Sequence, residues 1–293
     1  MCRVVDLRQA VLAKNDMAAH TLRAELTARG TAVVNLLSSP GSGKTALLER
    51  ELLRARERGV PVAALTADLA TENDALRLAR SGVPVKQVLT DGLCHLEASM
   101  LGRHLNGWLP ADTRLLFVEN VGNLVCPASY DLGESLRVVL ASVTEGEDKP
   151  LKYPTAFGLA QLVLVTKTDI AEAVEFDEAT FRANVQRVNP GVEVALTSAR
   201  TGEGVGLLLE RALAVASGAS THLPVMAREQ AHTDGRAHDH HRHHPHSHDH
   251  AHDHGHDHGD KEDHGHVHLP AHAPTEPAGS DPSHSPRPVA QTR

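Results

Sequence analysis

One octapeptide, Ser38-Ser39-Pro40-Gly41-Ser42-Gly43-Lys44-Thr45, says most about the fold class of this chain. It follows an apolar run at 32–37 and precedes a stretch of helical pattern at 46–57. A glycine-rich turn between a strand and a helix presents backbone N–H groups and a helix N-terminus to a phosphate. The octapeptide therefore predicts a phosphate-binding loop, in which Lys44 reaches the β- and γ-phosphates and the Thr45 hydroxyl binds Mg²⁺. Ser38 stands where the motif usually has glycine, and we expect a small residue to serve there.

Around this loop, short apolar runs of strand length alternate with helical patterns up to about residue 222. Near-continuous apolar strands with helices on both faces are typical of an α/β fold with a mainly parallel sheet. The pattern predicts strands within 32–37, 60–65, 83–89, 115–118, 136–143, 162–165 and 192–196.

Helical patterns flank the predicted sheet at both ends. A last amphipathic helix is expected at 208–216, and an earlier one at 7–29 ends at Gly30. The apolar side of the earlier helix is expected to comprise Val11, Leu12, Met17, Ala18, Leu22 and Leu26.

The composition divides the chain into three parts and excludes several classes of protein. We expect an N-terminal helix at 1–30, a P-loop domain at 31–220 and a disordered, His-rich, metal-binding tail at 221–293. The net charge of −8 argues against a nucleic-acid partner, and no apolar run is long enough to predict a membrane span. Three cysteines and the lack of a secretory signal favour reduced thiols and a cytoplasmic location.

The segment Thr166-Lys167-Thr168-Asp169 indicates which base is bound. It follows an apolar strand, where a GTPase carries Asn-Lys-x-Asp. The Asp169 carboxylate can accept hydrogen bonds from N1–H and the 2-amino group of guanine, a donor pair that adenine lacks, and the Lys167 stem can lie on the purine. Ser198 and Ala199 match the short loop that contacts guanine O6. Because Thr166 replaces the usual Asn, we expect a weaker or altered brace between this loop and its neighbours.

A second strand end, Val118-Glu119-Asn120-Val121-Gly122, predicts the magnesium side of the site. Glu119 can hold Mg²⁺ through water or orient the attacking water, and Gly122 can bring its N–H to the γ-phosphate. Asp68 is a further magnesium candidate, with a helix cap as the alternative. The residues expected in catalysis are Lys44, Thr45, Asp68, Glu119 and Gly122, of which Thr45, Asp68 and Glu119 would bind Mg²⁺. The residues expected to bind GTP are Gly41, Ser42, Gly43, Lys44, Thr45, Lys167, Asp169, Ser198 and Ala199.

Two further features predict binding of a transition metal. Cys94 and His95 open a predicted helix at 96–105, and Cys126 lies just beyond Gly122. Thiolate and imidazole suit Zn²⁺ or Ni²⁺, although a pair of semi-buried cysteines is the alternative.

The tail is the stronger metal signal, because 18 of the 22 histidines lie between residues 232 and 284, interspersed with Asp, Gly and Pro. That spacing argues against an expression tag, which would be an uninterrupted His run. The tail residues expected to store nickel are His238, His240, His241, His243, His244, His246, His248, His250, His252, His254, His256 and His258.

Four stretches together resemble the hydrogenase nickel-incorporation GTPases, the HypB family. Besides the octapeptide they are Ala13-Lys14-Asn15-Asp16, Gly92-Leu93-Cys94-His95-Leu96 and Glu119-Asn120-Val121-Gly122-Asn123-Leu124-Val125-Cys126-Pro127. The resemblance covers residues 10–217. It implies a SIMIBI-like GTPase domain that dimerises with nucleotide, with Ni²⁺ or Zn²⁺ held at the dimer interface by Cys94, His95 and Cys126. It also implies two partners, a small nickel-binding maturation protein and the large subunit of [NiFe]-hydrogenase.

The resemblance leaves other functions open. The urease-type nickel GTPases carry a Cys-Pro-His motif that this sequence lacks, and cobalamin- or zinc-type metallochaperones would be expected to carry a Cys-x-Cys-Cys cluster, also missing. A nickel store with a vestigial GTPase is favoured by Ser38 and Thr166. In the main interpretation, GTP hydrolysis moves Cys126 and biases metal release, because Cys126 shares a short segment with Glu119 and Gly122.

Overall fold

Seven parallel strands form one sheet in the order β3-β2-β4-β1-β5-β6-β7. This computed structural model describes residues 2–68, 73–90 and 92–227, with side chains from residue 9 onward. The strands are β1 Ala32–Ser38, β2 Val62–Asp68, β3 Val85–Leu89, β4 Leu115–Glu119, β5 Leu136–Ser142, β6 Leu162–Thr166 and β7 Glu193–Leu196. Each lies on one of the seven predicted apolar runs, so the predicted parallel α/β fold is confirmed.

Helices cover both faces of the sheet. They are α1 Cys2–Ala28, α2 Lys44–Glu57, α3 Asn73–Ala79, α4 Ala98–Leu105, α5 Lys149–Lys152, α6 Pro154–Gly158, α7 Glu178–Val188 and α8 Leu207–Ala216. Short 3₁₀ helices lie at Pro127–Ser129, Val143–Glu145, Thr168–Ile170 and Glu172–Val174. Among the helices of the described residues, none is long and apolar enough to cross a membrane.

The core is aliphatic and follows the alternation of side chains along the strands. In β1, Val34 and Leu36 pack with α2 and α8 on one face, whereas Val33 packs with α1 and α4 on the other. A third buried cluster, around Phe157 and Phe181, covers the β5–β7 side of the sheet. Each fully buried side chain of this size contributes about 1.5–3 kcal/mol to folding, so the sheet is a stable platform for the loops at its carboxyl end.

The helix α1 differs in detail from the sequence pattern. It ends where predicted, with Gly30 at a φ of 73°. The prediction that Val11 and Met17 lie on its buried apolar side is wrong, because these side chains are 48% and 68% exposed. The side facing the sheet carries Ala19, Leu22 and Leu26 and also the polar Asn15. A polar residue in a buried position misleads a hydrophobic pattern, and Asn15 is satisfied only by tertiary hydrogen bonds.

The helix α4 also begins later than predicted. It starts at Ala98, so Cys94 and His95 lie in the irregular segment before it and do not open its first turn.

Candidate functional site

The phosphate-binding loop lies at the carboxyl end of β1, next to the strand pair β1–β4. Gly41 and Gly43 have φ values of 72° and 91°, which favour glycine, and Gly43 directly precedes α2. Lys44 Nζ donates to Ser38 Oγ at 3.0 Å, so the serine that replaces glycine contacts the motif lysine. Lys44 is 8% exposed, and burial lowers the pKa of its ammonium group. A buried cation at a loop of N–H donors is suited to bind an anion.

A pair of side chains on α2 and β4 forms the next part of the site. Thr45 Oγ1 donates to Glu119 Oε1 at 2.6 Å. Glu119 Oε2 is buried and has no hydrogen-bond partner within the described residues, and the same is true of Thr66 Oγ1. Thr66 is the register neighbour of Glu119 on β2. Burial raises the pKa of Glu119 to about 7, partly offset by Lys44.

These unpartnered oxygens fit a hydrated Mg²⁺, which prefers oxygen ligands and keeps several of its waters. Asp68 ends β2 on the same side of the sheet, and its charge acts on both Lys44 and Glu119. Asp74, in the first turn of α3, acts on the same two groups. Glu119, Asp68 and Asp74 are therefore near enough to one another and to Lys44 to interact electrostatically.

Gly122 lies against the phosphate-binding loop. A Cβ at this position would be 3.1 Å from Pro40 Cα, closer than most side-chain contacts allow. The segment after β4 therefore touches the loop through backbone, and a side chain at 122 would push the two apart.

A cavity of about 230 Å³ lies between α2 and the loops after β6 and β7. Its lining residues are Gly43, Ala46, Leu47, Thr166, Lys167, Asp169, Ile170, Thr197, Ala199 and Arg200. The structure thus brings together Lys167, Asp169 and Ala199, three of the residues predicted to contact guanine. The buried Ser198 is linked to them by a 2.5 Å hydrogen bond from its hydroxyl to Asp169 Oδ1.

The walls of this cavity are braced by two side chains of the predicted base-recognition segment. Thr166 Oγ1 donates to the Ser42 carbonyl at 2.5 Å, and Lys167 Nζ donates to the Gly41 carbonyl at 2.7 Å. The threonine that replaces the usual Asn therefore still joins this segment to the phosphate-binding loop.

Sequence reasoning missed several residues that shape the pocket. Arg200 Nε donates to Asp169 Oδ2 at 2.5 Å, and the hydrogen bonds from Ser198 and Arg200 hold the pKa of the Asp169 carboxyl below its usual value. Lys149, 5% exposed, donates to Ser39 Oγ and forms an ion pair with Glu145. Lysine and glutamate at spacing i, i+4 were a signal for that pair, but nothing in the sequence placed it beside the phosphate-binding loop.

A further missed residue, Glu51, joins the two sides of the pocket. The carboxylate of this α2 residue accepts from Gly206 N at 2.7 Å and from Leu209 N at 3.2 Å, and so caps α8. Burial raises the pKa of Glu51. Because α8 follows the Ser198–Ala199 loop, this cap fixes the loop relative to α2.

The two cysteines expected to bind metal lie side by side. The side chain of Cys126 lies close to Cys94 and raises the pKa of the Cys94 thiol. His95 Nδ1 is 3.7 Å from Cys94 Sγ, and the His95 ring stacks on Tyr130 with ring centres 3.9 Å apart. In the part of the chain that the structure describes, no three His, Cys, Asp or Glu side chains are close enough together to hold one metal ion. One chain thus brings together two thiols, with an imidazole adjacent, but does not assemble the expected set of three. The tail histidines, 238 to 258, lie outside the described residues.

A parallel sheet with a glycine-rich loop after its central strand and a paired Thr45 and Glu119 behind that loop defines a P-loop NTPase. Residues 32–195 match the family described as CobW/HypB/UreG, nucleotide-binding domain. The chain is 49% identical over 205 residues to the hydrogenase maturation factor HypB of Azotobacter chroococcum mcd 1, covering 70% of this chain and 67% of the relative. The chain therefore belongs to the CobW/HypB/UreG family, on its HypB branch.

Two solved structures are similar over the same region. One is HypB from Helicobacter pylori in complex with nickel, with a TM-score of 0.63 and 38% identity, covering 68% of this chain and 95% of that one. The other is hydrogenase maturation factor HypB from Archaeoglobus fulgidus, with a TM-score of 0.65 and 36% identity, covering 70% and 100%.

Proposed function

We propose that this protein is a GTP-hydrolysing nickel metallochaperone that delivers Ni²⁺ to the large subunit of a [NiFe]-hydrogenase. The observation that carries the proposal is the continuity of one short segment, 119–126. It begins at the carboxylate paired with Thr45, touches the phosphate-binding loop at Gly122 and ends at the Cys126 thiol, which lies close to Cys94. The hydrogenase maturation role of the relatives and the nickel in the Helicobacter pylori structure support this assignment.

The nucleotide part of the proposal rests on the pocket. Asp169 uses one acceptor site on each oxygen for Ser198 and Arg200, and each oxygen keeps a lone pair that can accept from guanine. Lys44 would exchange its Ser38 partner for the β- and γ-phosphates. Water attacks the γ-phosphorus, the bond to the β–γ bridging oxygen breaks, and GDP and phosphate leave. A bound Mg²⁺ neutralises charge on the phosphates, and Thr45, Glu119 and Asp68 are the side chains that would hold it.

The coupling part of the proposal rests on the length of the segment. Gly122 N–H would follow the γ-phosphate, and Asn123 Nδ2 is 3.5 Å from the Cys94 carbonyl oxygen. Loss of the γ-phosphate would therefore displace Cys126 relative to Cys94. Distortion of one ligand lowers metal affinity, and each ~1.4 kcal/mol corresponds to a factor of ten.

The metal part of the proposal includes a second copy of the chain. One copy supplies the Cys94 and Cys126 thiols with His95 beside them, and two copies would supply the four soft ligands that suit Ni²⁺ or Zn²⁺. His95 Nε2 is buried, and its nearest acidic group, Glu97 Oε1, is 3.7 Å away, so this nitrogen can also become a ligand. We propose that the dimer depends on nucleotide or metal.

The tail part of the proposal assigns nickel storage to the His-rich segment at 221–293, in a cytoplasmic protein that also binds a small nickel-binding maturation partner. Deleting residues 228–293 should remove most of the bound nickel and leave GTP hydrolysis within about twofold of its original rate, because the described pocket is retained. If truncation removed little nickel, or strongly reduced hydrolysis, storage on an independent tail would be excluded.

The central test is a nickel titration of the full chain in the presence of GDP or a non-hydrolysable GTP analogue. With Cys2→Ser in the chain, thiolate-to-nickel charge-transfer absorbance reports Cys94 and Cys126 alone, because imidazole gives no such band. We expect the two nucleotides to change nickel affinity at the thiols by about 5–150-fold, typical of a coupling of 1–3 kcal/mol. Equal affinities in both states would refute the coupling and favour a nickel store with a vestigial GTPase.

A glycine variant and its matched control sharpen this test. Gly122→Ala should reduce the difference in nickel affinity between the two nucleotide states. Its Cβ would lie 3.1 Å from Pro40 and would push the 119–126 segment away from the phosphate-binding loop. Gly102→Ala, in α4, should leave this difference unchanged, because its nearest neighbour would be Leu22 at an ordinary 3.7 Å.

A further inference from the structure

The helix α1 contacts the two chain segments that carry the thiol pair, Cys94 and Cys126. Leu22 and Leu26 on α1 share a buried cluster with Leu96, Leu101 and Leu132. Asn15 lies on the same side of α1 and is 6% exposed. A buried amide requires hydrogen bonds, since an unmade one costs about 1–3 kcal/mol, and both ends of the Asn15 amide are occupied.

The oxygen of this amide completes the start of α4. Ala98 N donates to Asn15 Oδ1 at 3.0 Å. The preceding residue, Glu97, makes no side-chain cap, although the first N–H groups of a helix need acceptors from outside it. Asn15, on α1, therefore caps the start of α4. The capped residue, Ala98, lies three residues after His95 and four after Cys94.

The nitrogen of the same amide holds the segment that follows Cys126. Asn15 Nδ2 donates to the Asp131 carbonyl at 2.8 Å. The neighbouring Tyr130 stacks on His95. The contacts thus close a ring, from Asn15 through Ala98 to His95 and back through Tyr130 and Asp131.

Two other contacts hold α1 against the segment that follows Cys126. Arg23 Nη2 donates to both carboxylate oxygens of Asp131, at 2.6 and 2.7 Å. Gly133 has a φ of 76°, and a Cβ there would be 2.7 Å from the Ala19 carbonyl oxygen. The backbone of α1 is therefore in close contact with this segment, and the Asn15 amide is held against both of its partners.

We infer that Asn15 is a positioning residue for the thiol pair, fixing the separation of Cys94 and Cys126 before metal binds. The inference rests on the proposed role of these thiols as a nickel site. Only Asn offers an acceptor and a donor at this length, because Asp lacks the donor, Ser is too short and Leu has neither. Hydrogen-bond partners that orient metal ligands typically change affinity by about 10–100-fold when removed.

The test is a nickel titration of the full chain, read by the thiolate charge-transfer band, with Cys2→Ser in every variant. The histidine tail is identical throughout and buffers nickel equally. Asn15→Leu should weaken nickel binding by about 10–100-fold. Asn15→Asp keeps the acceptor for Ala98 and loses the donor to Asp131, so its loss should be intermediate. GTP affinity without metal should stay unchanged in both variants.

Asn189→Leu is the matched control, since Asn189 is fully buried and donates to the carbonyls of Phe157 and Ala160, both at 2.8 Å. It should lower the Tm of the protein and leave nickel affinity at the thiols unchanged. An equal loss of nickel affinity in the Asn15 and Asn189 variants would reduce Asn15 to a general stabilising residue and overturn the inference.

A metal-free measurement covers the case in which Asn15→Leu folds poorly. The Cys94–Cys126 disulfide forms as two thiols reduce one oxidised glutathione to two reduced molecules. Its equilibrium constant measures how often the sulfurs meet, and Asn15→Asp should lower it severalfold. An unchanged constant, with unchanged nickel affinity, would overturn the positioning role while the nickel site stands. If instead Cys126→Ser kept the full charge-transfer band, the nickel site itself would fail and the inference with it.

Discussion

The nucleotide pocket and the thiol pair are built to different degrees within one chain. The pocket is closed by direct hydrogen bonds between its parts, from Thr166 to Ser42, from Lys167 to Gly41 and from Gly206 to Glu51. The thiol pair has His95 beside it, but in the described residues these side chains do not come together as a set of three that could hold one metal ion. The difference indicates that nucleotide binding needs little rearrangement, whereas metal binding depends on further groups and on how the two segments are held.

The largest effect is expected for Lys44→Ala, which should change GTP hydrolysis without changing nickel binding at the thiols. Lys44→Ala removes the buried ammonium that acts on Glu119 and should reduce GTP hydrolysis by about 10²–10³-fold or more, as loss of a preorganised electrostatic group does. Nickel binding at the thiols without nucleotide should not change. Steady-state phosphate release and the charge-transfer titration measure the two quantities. Lys152→Ala, which removes an exposed lysine paired with Asp148, is the control for charge. A comparable loss of nickel affinity in Lys44→Ala would mean that the regions are one site.

A smaller effect is expected from the base-recognising carboxylate. Asp169→Asn replaces an acceptor with a donor opposite the 2-amino group of guanine, so GTP affinity should fall by about 10–100-fold, the worth of hydrogen bonds to a charged group. Xanthosine triphosphate should then be preferred over GTP.

Competition binding of labelled nucleotides measures this preference. Asp177→Asn, at the cap of α7, makes the same change of charge and should leave the preference for GTP intact. Equal binding of ATP and GTP by the parent protein would refute the guanine assignment.

The smallest effect concerns the brace between the pocket walls. Thr166→Val keeps the shape and removes the hydrogen bond to Ser42, worth about 0.5–1.5 kcal/mol, so GTP affinity should fall by about 2–10-fold. Thr31→Val removes a similar buried bond, to the Thr113 carbonyl, far from the pocket. It should change stability and not nucleotide affinity, as calorimetry would establish. If Thr166→Val left GTP affinity unchanged, the pocket would be held together by its other contacts.

The sequence predicted the sheet and the approximate nucleotide site because both depend on local signals. Apolar runs located all seven strands, and parallel strands bring their carboxyl ends to one edge, so Ser38, Glu119 and Thr166 had to lie near one another. The weaker contact expected at Thr166 was inferred only from the replacement of the usual Asn of the motif by Thr. Whether a threonine hydroxyl reaches a carbonyl 124 residues away is set by packing that no local pattern encodes.

The α/β fold, the phosphate-binding loop and the family could all be predicted from the sequence, since glycine conformations, strand periodicity and short motifs are properties of neighbouring residues. Tertiary structure alone decided which polar groups are buried together. It turned Val11 and Met17 outward and Asn15 inward, placed Arg200 on Asp169 and brought Cys126 to Cys94. The physical reason is that a buried amide, carboxylate or thiol is stabilised only by partners that satisfy it, and those partners come from segments distant in the chain.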